Sequence, residues 1–301
     1  MSKTGFDLLT LTAGPMQLDL SPAQGGAIHG WARDGMPLLR LTRPGANGGF
    51  TVREHASYPL IPFSNRIAHG RFSFDGVDYI LPRDQRETRH ALHGNALYAP
   101  WEVAQAAPRR ALLRLASSPE RRDLLFFPFS YEAEQDYEIT ETSLRIFLKI
   151  RNTDTRRFPA GFGHHLYFAR HADSIVRFQA GAMWENDAQS LPAARTDIWR
   201  QKLAEGFTLD ETGFDNCFEG WTGTAEIEYP RAGYRLRIEA SPLFGHAVFF
   251  TPPGKDYFAF EPVTHLNDAI NRKEDMARNG LRILNPGETM EGEIILSLAP
   301  L

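Results

Sequence analysis

The chain has 301 residues, with 33 basic and 37 acidic side chains for a formal charge of −4, and it is 42% hydrophobic and 23% charged. A chain of roughly 300 residues with this balance buries about three quarters of its unfolded surface, which excludes disorder over most of its length. The absence of any Lys/Arg tract excludes the cationic footprint of a nucleic-acid binder. The lone cysteine, Cys217, excludes an intramolecular disulfide and a cysteine-rich metal site. No stretch reaches the ~18 apolar residues of a membrane-spanning helix, so a soluble cytoplasmic protein, monomer or homodimer, is the expectation.

In chain order, the period of the apolar residues is two far more often than three and a half. Met16 to Leu20 reads as a strand. Phe72 and Phe74, then Asp75-Gly76, then Val77, Tyr79 and Leu81 read as a hairpin, because Asp-Gly tolerates the positive φ angles of a type I′ turn. Tyr131 to Ile139 and Leu144 to Ile150 form a second antiparallel pair around Glu141-Thr142. Ala225 to Tyr229 and Tyr234 to Ala240 form a third around Pro230 to Gly233. Ala247 to Thr251, Tyr257 to Glu261 and Glu293 to Leu298 complete the strands, the last after the turn Asn285-Pro286-Gly287. Helical spacing is confined to a turn or two within Asn267 to Arg278 and Ser118 to Asp123. The class is all-β, with few short helices. Lacking a linker or a fixed repeat, residues 1–301 read as one large antiparallel β-sandwich domain.

The chain has no Gly-rich phosphate loop, no Gly-x-Ser-x-Gly elbow and no His-Glu-x-x-His helix. What it has is ten histidines, five of them at His69, His90, His93, His164 and His165. His90, His93, His164, His165 and Glu261 could together serve a metal. Against this, adjacent His164 and His165 face opposite ways on a strand, so at most one enters a shared site. The same residues also suit an acid–base pair, an imidazole giving a proton and a buried carboxylate taking one. Glu261 follows Phe258-Ala259-Phe260, and an acid in an apolar strand is costly unless it has a purpose.

The blocks Tyr58-Pro59-Leu60-Ile61-Pro62-Phe63-Ser64-Asn65-Arg66-Ile67, Leu92-His93-Gly94-Asn95, Pro159-Ala160-Gly161-Phe162-Gly163-His164-His165-Leu166-Tyr167-Phe168, Phe214-Asp215-Asn216-Cys217-Phe218 and Phe260-Glu261-Pro262 occur in that order. Together they resemble the aldose 1-epimerase (galactose mutarotase) family, and most closely a bacterial aldose 1-epimerase-like subgroup. The resemblance implies a galactose mutarotase-like supersandwich. It implies that His165 is the general acid and Glu261 the general base of anomer interconversion, on opposite sides of the sugar ring. It further implies that Arg66, His93, Asp215 and Asn65 hold the sugar, with no cofactor and no metal.

That chemistry calls for an ionised Glu261 and a protonated His165, the latter held charged by a carboxylate such as Asp215 or Glu261. A hexose-6-phosphate mutarotase is the nearest alternative, with Arg53, Arg71, Arg83 and Arg86 as candidate phosphate ligands. A non-catalytic carbohydrate-binding sandwich is another. Because Asp215 and Glu261 stand in the sugar-facing motifs and the chain carries net negative charge, unphosphorylated aldoses are the expected substrates. Trp184 and Phe260 could stack on a sugar, although core packing is the commoner fate of such rings.

Overall fold

A computed structural model describes residues 7–44, 51–83, 89–209, 213–275 and 278–301. Antiparallel strands dominate it. Nine form one sheet in the order Glu102–Ala107, Arg110–Ser117, Tyr131–Ile139, Ser143–Asn152, Thr289–Pro300, Tyr234–Ala240, Thr224–Tyr229, Ile175–Phe178 and Phe207–Thr208. Eight form a second: Pro192–Thr196, Ala182–Asn186, Asp215–Glu219, His246–Phe250, Tyr257–Val263, Gly163–His164 and Pro59–Leu60 in order, with Leu166–Ala169 also pairing with Tyr257–Val263. The all-β sandwich read from the period-two pattern is what the chain forms.

The register follows from which face is apolar. Leu144, Ile146, Leu148 and Ile150 are fully buried, while their alternating neighbours Arg145 and Lys149 reach acids on adjacent strands, Glu293 and Glu134. A one-residue slip would turn all four aliphatics to solvent, at a cost of about 1.5–3 kcal/mol each. The Asp75-Gly76 hairpin has both turn residues at positive φ (50° and 76°), as a type I′ turn requires. Of the two helical expectations, the first is met and the second is not. Within Asn267 to Arg278 there are two 3-10 turns, Ala269–Asn271 and Lys273–Asp275, with residues 276–277 outside the described set. Ser118 to Asp123 is not helical, because Arg121 folds back to chelate Asp123 and the Ala116 carbonyl. The six-residue α-helix that does form is Arg200–Glu205, which buries Leu203 and ends at Gly206.

Two apolar clusters result, on the two faces of the eight-stranded sheet. The larger fills the space between the sheets and contains Phe168, Phe249, Phe258 and Phe260. The smaller, on the opposite face, gathers Tyr58, Leu60, Leu97, Tyr167, Trp184, Cys217, Val248, Ala259 and Val263. Period two decides the division. Phe258 and Phe260 point inward, so Tyr257, Ala259, Glu261 and Val263 point the other way. Glu261 therefore rises from the floor of the second cluster.

The loop closing over this face turns at His93-Gly94, both at positive φ (63° and 75°), and a Cβ on Gly94 would lie 1.9 Å from the Ile61 carbonyl oxygen. Substituting Gly94→Ala is expected to lower unfolding stability by about 2 kcal/mol or more, measured by urea denaturation. A change under about 0.5 kcal/mol would show that the turn relaxes freely.

Candidate functional site

Four segments distant in sequence deliver the side chains. Glu261 comes from the strand Tyr257–Val263, and His165 from the junction between the consecutive strands Gly163–His164 and Leu166–Ala169, both of which pair with Tyr257–Val263. Arg66 opens the short strand Arg66–Ile67, which pairs with Ala91–Leu92 and so brings His93 alongside. Asp215 begins the strand Asp215–Glu219, opposite Phe250.

At the floor, His165 Nε2 and Glu261 Oε1 lie 3.1 Å apart, and both side chains are buried, at 7% and 2% exposure. The two groups are thus in direct contact. Each side chain keeps one buried polar atom with no hydrogen-bond partner, Nδ1 of His165 and Oε2 of Glu261. Unsatisfied buried polar atoms are costly, so this pair is a candidate to be completed by a polar ligand.

Aromatic rings fix the orientation of His165. The Tyr167 ring stacks on it at 4.2 Å with a 26° tilt, Tyr58 lies at 4.8 Å, and the two phenol oxygens meet at 3.3 Å. Neither tyrosine belongs to the sequence-based candidates. Tyr167 was findable, because it stands two residues beyond His165 in extended chain and so shares its face.

The electrostatics reverse one expectation. Burial drives the His165 pKa well below 6.5, with the neighbouring His93, Arg40 and Arg53 acting in the same direction. Burial also raises the Glu261 carboxyl well above 4.5, reinforced by Asp215 and opposed by Arg66. Both shifts favour the neutral forms, an uncharged imidazole and a protonated carboxyl, against the protonated His165 and ionised Glu261 anticipated from solution pKa values. Desolvation penalises either charge more than a nearby carboxylate rewards it.

Around this floor stand the remaining candidates. His93 is buried, its pKa held well below 6.5 by burial and by Arg53 and Arg66. Its Nδ1 accepts the Asn65 backbone N–H at 3.1 Å, so the neutral ring carries its proton on Nε2 and presents a donor. Asn65, at φ 56°, uses its Oδ1 to accept from the Arg66 backbone N–H at 2.9 Å and Arg66 Nη1 at 3.3 Å. It orients the guanidinium, which reaches Asp215 Oδ2 at 3.5 Å. Asp215, at 38% side-chain exposure, forms the open rim.

Other residues lie elsewhere. His164 faces away from His165, bonded through Nδ1 to Ser57 Oγ at 2.5 Å and approached by Tyr137 Oη at 3.3 Å. His90 accepts the His69 backbone N–H and meets the Gln189 carbonyl oxygen. The set His90, His93, His164, His165 and Glu261 is thus not assembled, and no group of three or more His, Cys, Asp or Glu among the described residues is placed to hold a metal. Phe260 is core, and Trp184 is buried with its indole N–H donated to Glu219 at 2.8 Å and Arg272 over its ring. Of the four candidate phosphate ligands, Arg53 approaches the site, Arg71 and Arg83 are exposed outside it, and Arg86 lies outside the described residues.

The family model of aldose 1-epimerases matches residues 7–297, and the chain belongs to that family. It is 30% identical over 298 residues to the uncharacterized protein YphB of Escherichia coli K12, covering 96% of this chain and 98% of the relative. Among solved structures, a provisionally assigned aldose 1-epimerase from Escherichia coli K12 superposes with a TM-score of 0.86 at 29% identity, covering 98% of this chain and 99% of that one. A galactose mutarotase-like protein from Clostridium acetobutylicum shares the fold with a TM-score of 0.85 at 20% identity, covering 98% and 95%. No helix among the described residues is long and apolar enough to cross a membrane.

Proposed function

We propose that this chain is an isomerase, an aldose 1-epimerase that interconverts the α and β anomers of an aldose by acid–base opening and reclosure of the hemiacetal. The observation that carries the reading is the 3.1 Å His165–Glu261 contact with an unpartnered atom at each end. In the neutral pair, Glu261 Oε1–H donates to His165 Nε2, which leaves the imidazole proton on Nδ1.

A sugar seated at the floor completes a relay. The C1 hydroxyl proton passes to Glu261 Oε2, the Oε1 proton passes to His165 Nε2, and the Nδ1 proton passes to the ring oxygen. The C1–O5 bond breaks with its electron pair going to O5, and the C1 carbonyl forms. Rotation about C1–C2 and the reverse relay close the ring on the other face. His165 thus acts as acid toward O5 and Glu261 as base toward O1, with no net charge created in a buried site, where charge is expensive. His93 Nε2–H, Arg66 and Asp215 serve the remaining hydroxyls, and Asn65 acts through Arg66.

A purely sugar-binding sandwich would need rings and hydrogen bonds but no such pair. Polarimetry of freshly dissolved α-D-glucose, α-D-galactose and further aldoses tests the reading. Accelerated approach to equilibrium, undiminished after exhaustive chelation, is expected for at least one, and buffer-like rates across the panel would end the proposal. Arg66→Ala should raise KM about tenfold while changing kcat far less, because the guanidinium binds the sugar without touching the reacting atoms. A selective loss of kcat would instead place Arg66 in the chemistry.

A further inference from the structure

A cavity of about 670 Å³ is not lined by His165 or Glu261, but it adjoins them through Tyr167. Tyr257, Ala259 and Glu261 alternate on one face of their strand at about 7 Å per pair of residues. Both Tyr167 and Phe250 sit across from Ala259, and Ala169 sits across from Tyr257. Tyr167, Ala169, Phe250 and Tyr257 all line the cavity, so it continues the same sheet face beyond the proposed reaction site.

Its charge is distinctive. Five cations, Arg40, Arg43, Arg53, Arg170 and Lys255, line it against two carboxylates, Glu54 and Asp256. Asp256 is taken by Arg43 at 2.7 Å. Arg40 donates to carbonyl oxygens, those of His55 at 2.8 and 3.2 Å and of Arg53 at 2.5 Å, and its guanidinium lies 3.4 Å from the Tyr167 ring centre and 4.7 Å from that of Tyr257. Arg170 donates to the carbonyls of Pro252, at 3.2 Å, and Leu209. Lys255 makes no hydrogen bond or ion pair to any described residue. Among the described residues, Arg40, Arg170 and Lys255 thus face one cavity without an ion pair to any carboxylate, and Glu54 is the one acid of the lining not paired with Arg43. Carbonyls and ring faces hold a guanidinium in place without cancelling its charge, and the apolar walls of Leu39, Leu41 and Phe250 focus the field.

We infer that this cavity receives an anionic substituent, a phosphate or a carboxylate, carried by the aldose at the end remote from C1, and so makes the enzyme prefer charged aldoses. The inference rests on the mutarotase reading of the His165–Glu261 site. It runs against the preference for unphosphorylated sugars expected from the sequence, because a net charge of −4 spread over the chain does not describe the local field. The cations that gather are Arg40, Arg170 and Lys255 beside Arg53, not the exposed Arg71 and Arg83.

The test compares kcat/KM for anomer exchange of glucose, glucose 6-phosphate and glucuronate by NMR magnetisation transfer, corrected for the buffer rate, in wild type, Lys255→Ala and Arg170→Gln. Wild type should favour a charged sugar over glucose by about tenfold or more, as charge-assisted contacts of this kind provide, with the advantage shrinking as potassium chloride is raised. The ratio should collapse severalfold in each variant. The phosphate and carboxylate arms identify which anion is read. Lys255→Ala removes no hydrogen bond or ion pair among the described residues, so little loss of stability is expected. Equal or greater activity on glucose, or a preference that survives both substitutions, would overturn the inference. Should no sugar be exchanged at all, the mutarotase reading falls, and calorimetric titration judges the cavity by itself. Glucose 6-phosphate or glucuronate must then bind wild type more tightly than glucose and lose that advantage in Lys255→Ala, and binding independent of Lys255 would overturn the cavity's role.

Discussion

Glu261→Gln and His165→Asn are each expected to lower kcat for anomer exchange by about 10²-fold or more, the scale of a lost proton-transfer group. The relay needs a protonatable oxygen facing the sugar and a second oxygen that passes a proton to His165 Nε2 across 3.1 Å. The amide of Gln offers neither. Asn in place of His165 keeps a hydrogen-bonding side chain but cannot take a proton at one end while releasing another at the far end. Folding should survive both changes, since burying a neutral amide costs less than burying a charge. The two effects should be far from additive, because either loss interrupts one chain of transfers, and the double variant should be little slower than the worse single one. Wild-type turnover in Glu261→Gln would show that the base lies elsewhere, with Asp215 next to be tested.

The pH profile is the second large effect. The relay runs only while the pair holds one transferable proton on Glu261 and a neutral His165. As pH falls, His165 takes a second proton, but only at a pH well below its ordinary 6.5. As pH rises, Glu261 loses its proton, but only well above 4.5. Activity should therefore not fall tenfold per unit as pH rises past 6.5, as it would if an exposed imidazolium were the acid, until the raised Glu261 ionisation is reached. On the acid side the loss should begin below 6.5. Titration of the His165 ring nitrogens by 15N NMR gives the same answer without turnover. A ring already half-protonated at pH 6.5 would contradict the neutral pair.

Much of the fold was legible because period two is a local signal. Strands such as Ser143–Asn152 and Tyr257–Val263, and the Asp75-Gly76 turn, each carry their own pattern of buried and exposed side chains. That pattern also put Glu261 on the face opposite Phe260, and His165 opposite His164. The helix Arg200–Glu205 was missed because six residues with a single buried leucine barely register a 3.6-residue period. The direction of the His165 and Glu261 pKa shifts was not legible for a different reason. Desolvation is a property of the assembled site, and nothing local to His165 says that Tyr58 and Tyr167 will enclose it. Arg40 is the plainest case, since it belongs to no motif. It matters because the fold lays it over the ring of Tyr167, 127 positions further along the chain.

The central claim is that a proton relay through the contacting pair His165 and Glu261 opens and recloses a sugar ring. Magnetisation transfer between the α and β anomeric signals of an equilibrated aldose accepted by the enzyme, recorded near pH 7 with wild type and with Glu261→Gln at equal concentration, addresses it most directly. Exchange well above the buffer rate with wild type, reduced about 10²-fold in the variant, is the predicted result. Equal exchange with both proteins, or no exchange above buffer with wild type for any aldose tried, would contradict it.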